Sequence, residues 1–325
     1  VEPTTPGFDD IVAAAARIAP YVLRTPVRRS AALSRHSGVE VHYKCENLQA
    51  AGAFKSRGAC NAVFALEAGA AARGVATHSS GNHAAALARA AQLRGIPATV
   101  VMPRGAPAVK RAAVVAFGAA IVECEPTLAA REQAAAQLLA RSGASFVHPY
   151  DDPHVIAGQG TAILEVVDAG LEPAMVLTPV GGGGLLSGTA IAVRTRWPRA
   201  CVVGTEPAGA DDAARSFASG VRQRQSDPRT LADGLRGELS ERTFALIRAH
   251  VGDIVTVSEA GIVAAMRQVR EETGMLIEPS AAVPVAALLE ARVRPAAGPL
   301  VIILSGGNVD ADSPVFRAAG DPVPG

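Results

Sequence analysis

The sequence predicts an α/β fold built from two doubly wound, mostly parallel sheets. Three observations lead there. Short β-rich runs alternate with longer alanine-rich stretches, glycines close several of those stretches, and the run PLVIILS at 299–305 is apolar throughout. Strand–helix alternation of this kind gives parallel sheets with helices on both faces. An unbroken apolar run suits a central strand covered on both sides.

Along the chain, GVATHS (74–79), PATVVMP (97–103), AAIVEC (119–124) and SFVHP (145–149) read as strands. Between them, GNHAAALARAAQLRG (81–95), PAVKRAAVVAFG (107–118) and LAAREQAAAQLLARSG (128–143) carry apolar residues near helical spacing. Each has a glycine just behind its last turn, the usual helix stop. The pattern returns with AMVLTPV (174–180), ACVVGTEP (200–207), DIVTVS (253–258) and PLVIILSGG (299–307) as strands. Two blocks follow: a small inserted α/β domain at 68–148, and a large discontinuous one from 1–67 and 149–325. The cleft between them is the expected site. The closing residues RAAGDPVPG read as a frayed tail.

Charge and cysteine usage narrow the partners. The formal net charge over 325 residues is +1, and the basic residues are scattered. Nucleic acid, which needs a concentrated basic face, is excluded as the main partner. Cys45, Cys60, Cys124 and Cys201 lie far apart with no C-x-x-C pair, which argues for a reducing cytoplasm rather than a thiolate metal site. The start, VEPTTPGFDD, is unlike a signal peptide, and no apolar segment reaches bilayer length. A cytoplasmic protein without a membrane partner is expected.

Three glycine-containing segments follow predicted strands, where open parallel sheets bind ligands. In THSSGNHAAALA, Ser79, Ser80, Gly81 and Asn82 converge N–H groups and hydroxyls on an anion-friendly point, or simply cap a helix. In TPVGGGGLLSG, four successive glycines, Gly181 to Gly184, would be entropically costly as a mere connection. They make a loop whose N–H groups can turn to one anion before a helix dipole, with neither a Walker nor a dinucleotide pattern. In VIILSGGNVD, Ser305 could offer a hydroxyl into the cleft; by itself the segment is a turn.

AGAFKSRGA at 51–59 places Lys55 in a small, apolar turn. A surface lysine needs no such setting and a core lysine would require a partner, so a lysine held close to neutrality for covalent chemistry is the third reading. Combined with a phosphate cradle, it points to a phosphorylated aldehyde cofactor, pyridoxal 5'-phosphate.

The motifs FKSRGA, THSSGNHA, HPYDDPHVIAGQGT, PVGGGGLLSG, TEPAGADD, ADG, EPSA and SGGN occur in order from about residue 25 to 310. With them the chain resembles the serine racemase and threonine dehydratase group of pyridoxal-phosphate enzymes, of the tryptophan-synthase β-like fold type II. The resemblance implies that Lys55 forms the Schiff base and removes the substrate Cα proton. Phe54 packs beside the ring, and Asn82 hydrogen-bonds the cofactor's phenolic oxygen. Ser79, Ser80, Gly81, Asn82 and His83 share the loop receiving the substrate carboxylate. Gly181, Gly182, Gly183, Gly184 and Leu185 match the phosphate loop, and Ser305 faces the pyridine nitrogen. A serine there makes the ring a weaker electron sink than a carboxylate would, which suits β-elimination better than transamination. Ser80 also matches the serine acting on the opposite face in serine racemase, with a plain carboxylate-loop hydroxyl as the alternative.

The implied reaction is dehydration and deamination of a 3-hydroxy amino acid to a 2-oxo acid and ammonia. Serine and threonine are the leading substrates; 3-hydroxyaspartate, a 3-aryl-serine, or racemisation are the alternatives. The family also places a divalent cation, Mg²⁺ or Ca²⁺, on Glu206, the Ala210 carbonyl and Asp212, although an aspartate here could equally cap a helix. A homodimer is implied as well. No regulatory domain follows the catalytic motifs in this sequence, so isoleucine feedback is not expected and a degradative role is. Two departures stand out. Ala51 and Ala53 replace the hydroxyls of the family's T-G-S-F-K, and Gly237 falls where serine racemase has a substrate-holding serine. Lost hydroxyls of this sort can alter selectivity by large factors.

Overall fold

A computed structural model describes residues 5–106, 108–295 and 297–316. The tail expected at 317–325 lies outside the described residues. Ten strands are described: β1 Val27–Ser30, β2 Val41–Lys44, β3 Val75–His78, β4 Ala98–Pro103, β5 Ala120–Cys124, β6 Ser145–Phe146, β7 Met175–Pro179, β8 Cys201–Pro207, β9 Asp253–Val257 and β10 Leu300–Ile303. They form a six-stranded sheet in the order β1-β2-β10-β7-β8-β9 and a four-stranded sheet in the order β5-β4-β3-β6. All pairings are parallel except β1 with β2. The α/β expectation therefore holds, with one antiparallel edge.

β10 is central, as its apolar run demands. Leu300 and Ile302 enter the core on one face of the sheet, Val301 and Ile303 the core on the other, which is the two-residue period of a strand buried twice. Glycines stop the helices Asn82–Arg94 and Leu128–Ser142, at Gly95 (φ +70°) and Gly143 (φ +63°). No described helix is long and apolar enough to cross a membrane.

β1 and β2 were not legible as strands, since VRRS and VHYK are short and charged. β2 is nonetheless fully buried, because its lysine is neutralised from a distance. Arg57 grips Glu46 through Nε and Nη2 at 2.7 Å each, and Glu165 through Nη1 and Nη2 at 2.8 and 2.9 Å. Lys44 adds bonds to Glu165, to the Thr25 hydroxyl and, at 2.7 Å, to the Thr25 carbonyl. Lys44 and Glu46 are 0 % exposed and Arg57 1 %, so this two-cation, two-carboxylate cluster is a core element. It joins the end of β2, the helix Lys55–Ala65 and the helix Pro153–Asp168. The two helices also touch at Gly58 and Gly158, where a Cβ on Gly158 would come within 2.6 Å of the Gly58 Cα. Lys55 thus starts from a braced helix.

Candidate active site

The site residues hang from carboxyl ends of strands of both sheets. The Lys55 turn follows β2, Ser79–Asn82 follow β3, Gly181–Gly184 follow β7, Ser305 follows β10, and Glu206 lies near the end of β8. The placement is the usual one for ligands in parallel sheets. The Lys55 and Ser305 turns are stitched together. Ala53 bridges to Gly306, Phe54 N–H donates to the Ser305 carbonyl at 3.0 Å, and Gly307 N–H donates to the Gly52 carbonyl at 2.9 Å.

Lys55 Nζ donates to the Pro149 carbonyl at 2.7 Å and lies 5.1 Å from the centre of the Phe54 ring. Desolvation lowers its pKa to about 8, with the nearby Glu278 charge opposing that fall. Phe54 is partly buried against the core on the Val301 and Ile303 face of the six-stranded sheet, and Ser305 is 2 % exposed.

Ser79, Ser80, Gly81 and Asn82 are partly exposed, while His83 is 2 % exposed. The His83 ring turns inward, with Nε2 3.2 Å from the Val147 carbonyl, and burial holds its pKa well below the ordinary value. What His83 can offer the cleft is its backbone N–H at the helix head. Desolvation and its neighbour His78 lower His148 to about 4; its Nδ1 accepts from Asp151 N–H at 2.9 Å, so it stays a neutral imidazole.

The four glycines are pressed from all sides. A Cβ on Gly181 would meet Leu235 Cα at 2.9 Å, one on Gly182 the Tyr150 ring at 2.3 Å, one on Gly183 Leu239 and Thr243 at 2.8 Å, and one on Gly184 Tyr150 at 3.1 Å. Gly183 (φ +87°) starts the helix Gly184–Arg196 with no side-chain cap, which leaves the first N–H groups available to an anion. Leu185, at 4 % exposure, anchors that helix in the core. An amine of lowered pKa bonded to Pro149, next to the Tyr150 that covers an N–H-lined loop, fits a phosphorylated aldehyde.

Glu206 and Asp212 are both 0 % exposed. Glu206 accepts from Ala213 N–H at 3.2 Å and Ala214 N–H at 2.9 Å, and Asp212 Oδ2 accepts from Leu239 N–H at 3.3 Å. Asp212 Oδ1 is buried without a hydrogen-bond partner among the described residues. Burial, then the Asp212 charge, pushes Glu206 well above the carboxylate range; burial raises Asp212 to about 6. Two buried carboxylates with an orphaned oxygen suit a hard cation. No group of three or more His, Cys, Asp or Glu side chains gathers among the described residues, so the shell would need the Ala210 carbonyl and water. Leu239 links this pair to the glycine loop, since it also abuts Gly183.

Several cleft residues escaped the sequence reading. Tyr150 covers Gly182 and lies 3.7 Å from where a Gly237 Cβ would be; burial raises its pKa to about 12, so its hydroxyl remains a donor. Lys110, on the helix Ala108–Ala116, pairs with Asp233 across the two sheets. Glu278 and Asn308 flank Asn82. Tyr150, Glu278 and Asn308 stand inside the motifs HPYDDPHVIAGQGT, EPSA and SGGN, which by themselves give them no role; Lys110 has no local signal.

Residues 18–306 match the family model described as pyridoxal-phosphate dependent enzyme. Over 309 residues the chain is 47 % identical to a β-hydroxyaspartate dehydratase of Paracoccus denitrificans, covering 94 % of this chain and 98 % of the other. The solved structure of maize serine racemase superposes with a TM-score of 0.93 at 41 % identity, over 95 % of each chain. That of a T.th. threonine deaminase gives 0.89 at 45 % identity, over 95 % of this chain and all of the other.

Proposed function

This chain belongs to the pyridoxal-phosphate-dependent enzymes, and from that premise we propose that it converts a 3-hydroxy amino acid to a 2-oxo acid and ammonia. The observation carrying the reading is Lys55, an amine with a pKa of about 8 whose partner Pro149 adjoins Tyr150, the residue packed over the glycine loop. When bound, the cofactor would supply the electron sink for the carbanion at Cα. Lys55 would hold the aldehyde carbon and afterwards take the Cα proton. The N–H groups of Gly181–Leu185 would bind the phosphate, Asn82 would donate to the ring oxygen, and Ser305 would meet the ring nitrogen. Ser79, Ser80 and the helix-head N–H groups beside Asn82 would fix the substrate carboxylate. Loss of the β-hydroxyl with a proton leaves an enamine, which becomes the imino acid and takes up water to give the 2-oxo acid and ammonia. Glu206, Asp212 and the Ala210 carbonyl would hold Mg²⁺ or Ca²⁺ as a brace behind the glycine loop. A cytoplasmic homodimer is part of the same reading.

For the substrate, a 3-hydroxyaspartate-like acid now leads over serine and threonine. The substrate wall lacks hydroxyls at Ala51, Ala53 and Gly237, and the Arg131 Nε is buried without a hydrogen-bond partner among the described residues. Arg131 lies close enough to His78 to add to the fall in pKa that burial causes there, and close enough to Tyr150 to oppose the rise that burial causes, so a second carboxylate has a cation in reach. The 47 % identical dehydratase supports the same choice. Serine or threonine is the second reading, favoured by the likeness to threonine deaminase. The test is a 2-oxo-acid assay on a panel of L- and D-3-hydroxy amino acids. Preference for 3-hydroxyaspartate is expected. Serine turned over equally well removes the substrate reading, and D-serine formed faster than oxo acid replaces dehydration with racemisation.

A further inference from the structure

Asn82 is held at both ends of its amide. Its Nδ2 donates to the two Glu278 oxygens at 2.8 and 3.1 Å. Its Oδ1 accepts from Asn308 Nδ2 at 2.9 Å, and that nitrogen also donates to the Ala51 carbonyl at 2.9 Å. Four segments are tied together: the Lys55 turn at Ala51, the helix head at Asn82, the head of the helix Pro279–Leu289, and the turn after β10.

Each arm of the clamp is wedged in place. Glu278 Oε1 lies 2.4 Å from where a Cβ on Gly306 would be, and Glu278 N–H donates to the Gly306 carbonyl at 3.0 Å. Asn308 Oδ1 lies 2.0 Å from the corresponding point on Gly52, whose φ is +71°. Neither glycine could gain a side chain without displacing an arm. Lys55, Lys110 and Asp233 are the charged groups acting on Glu278, and burial raises its pKa to about 7. Near neutrality it therefore still presents acceptor oxygens to Asn82.

An asparagine amide can face either way, and only its partners decide which end does what. Here the oxygen is committed to Asn308 and the nitrogen lies on the Glu278 side. We infer that Glu278 and Asn308 are positioning residues that lock the Asn82 amide as a donor, one N–H shared between the two Glu278 oxygens and the other pre-oriented for an acceptor oxygen on the bound cofactor. The inference rests on the reading that this cleft holds pyridoxal phosphate. A donor fixed beforehand spares the ordering cost of binding.

The test titrates pyridoxal 5'-phosphate into apoenzyme and records both affinity and the position of the cofactor's absorbance band. Glu278→Leu removes one arm and is expected to weaken binding about tenfold and move the band. Glu278→Gln keeps an acceptor oxygen and is expected to restore both. Asn308 is exposed, and Asn308→Asp exchanges its donor for an acceptor at nearly the same shape, so it too is expected to weaken binding about tenfold while remaining folded. If Glu278→Leu does not fold, Asn308→Asp decides alone. Wild-type affinity and band position in folded Glu278→Leu or in Asn308→Asp overturn the clamp. A wild-type apoenzyme that takes up no cofactor overturns the reading beneath it, and the clamp with it.

Discussion

Lys44, ending β2 and fully buried, and Lys55, heading the helix that follows and partly buried, keep different company. Burial lowers the pKa of each. Lys44 has Glu165 in contact and Glu46 at 3.7 Å, and these carboxylates work against the loss of its charge. Lys55 has only the Pro149 carbonyl as a hydrogen-bond partner among the described residues, with the Glu278 charge acting from further off. Burial alone does not prepare a lysine for chemistry. Carboxylates at bonding distance oppose the loss of the proton that burial favours; a lone carbonyl opposes it less.

The sharpest test of that contrast removes the Lys55 amine. Lys55→Ala is expected to cut turnover about a thousandfold or more while shifting stability by less than about 1 kcal/mol, measured by steady-state assay and urea melts. Wild-type cofactor uptake should rise with pH and level off above about 8, because below that value the amine holds its proton and cannot attack. The linkage has a definite sign. The folded amine binds its proton less tightly than the unfolded one, whose pKa is near 10.5, so apoprotein stability rises between those values and is lost as pH falls through about 8. Uptake still climbing near pH 10 would break the comparison.

Next in size is the paired cluster. Arg57→Leu leaves Glu46 and Glu165 facing each other with only Lys44, and is expected to cost about 3–5 kcal/mol in urea unfolding. A loss below about 1 kcal/mol would mean that the cluster is not the brace its geometry suggests. Smaller still is the effect of a cation. Mg²⁺ or Ca²⁺ at a hundred times its Kd is expected to add about 3 kcal/mol of stability by thermal melt, and Asp212→Asn to abolish the gain. An Asp212→Asn variant stabilised as much as wild type would remove the metal from this loop.

The same contrast explains what could be read from sequence. β3 to β10 announce themselves as local β-rich runs, and Lys55, Ser79 to Asn82, the four glycines and Ser305 as local motifs between strand and helix. β1 and β2 do not, because VHYK becomes a core strand only through Glu165, 121 residues away. Glu278 and Asn308 act on Asn82 from 196 and 226 residues further along, and Tyr150 acts by filling the space over Gly182. Pairings at such distances leave no periodicity and no spacing. The glycine loop shows a subtler limit: its residues pointed to a phosphate, yet contacts with Leu235, Tyr150, Leu239 and Thr243 already leave no room for a Cβ at Gly181, Gly182 or Gly183.

The six-stranded sheet carries its last strand in its middle. β10 fits between β2 and β7, so the pair β1–β2 and the trio β7–β8–β9 stay unjoined until residues 300–303 have been made. The four-stranded sheet, drawn from residues 75–146, has no such wait. The Lys55 turn meets the Ser305 turn only when β10 is seated, so the contact between these two turns forms late as the chain leaves the ribosome. A chain halted before that moment exposes two unpaired parallel edges, β2 and β7, to whatever strand comes near.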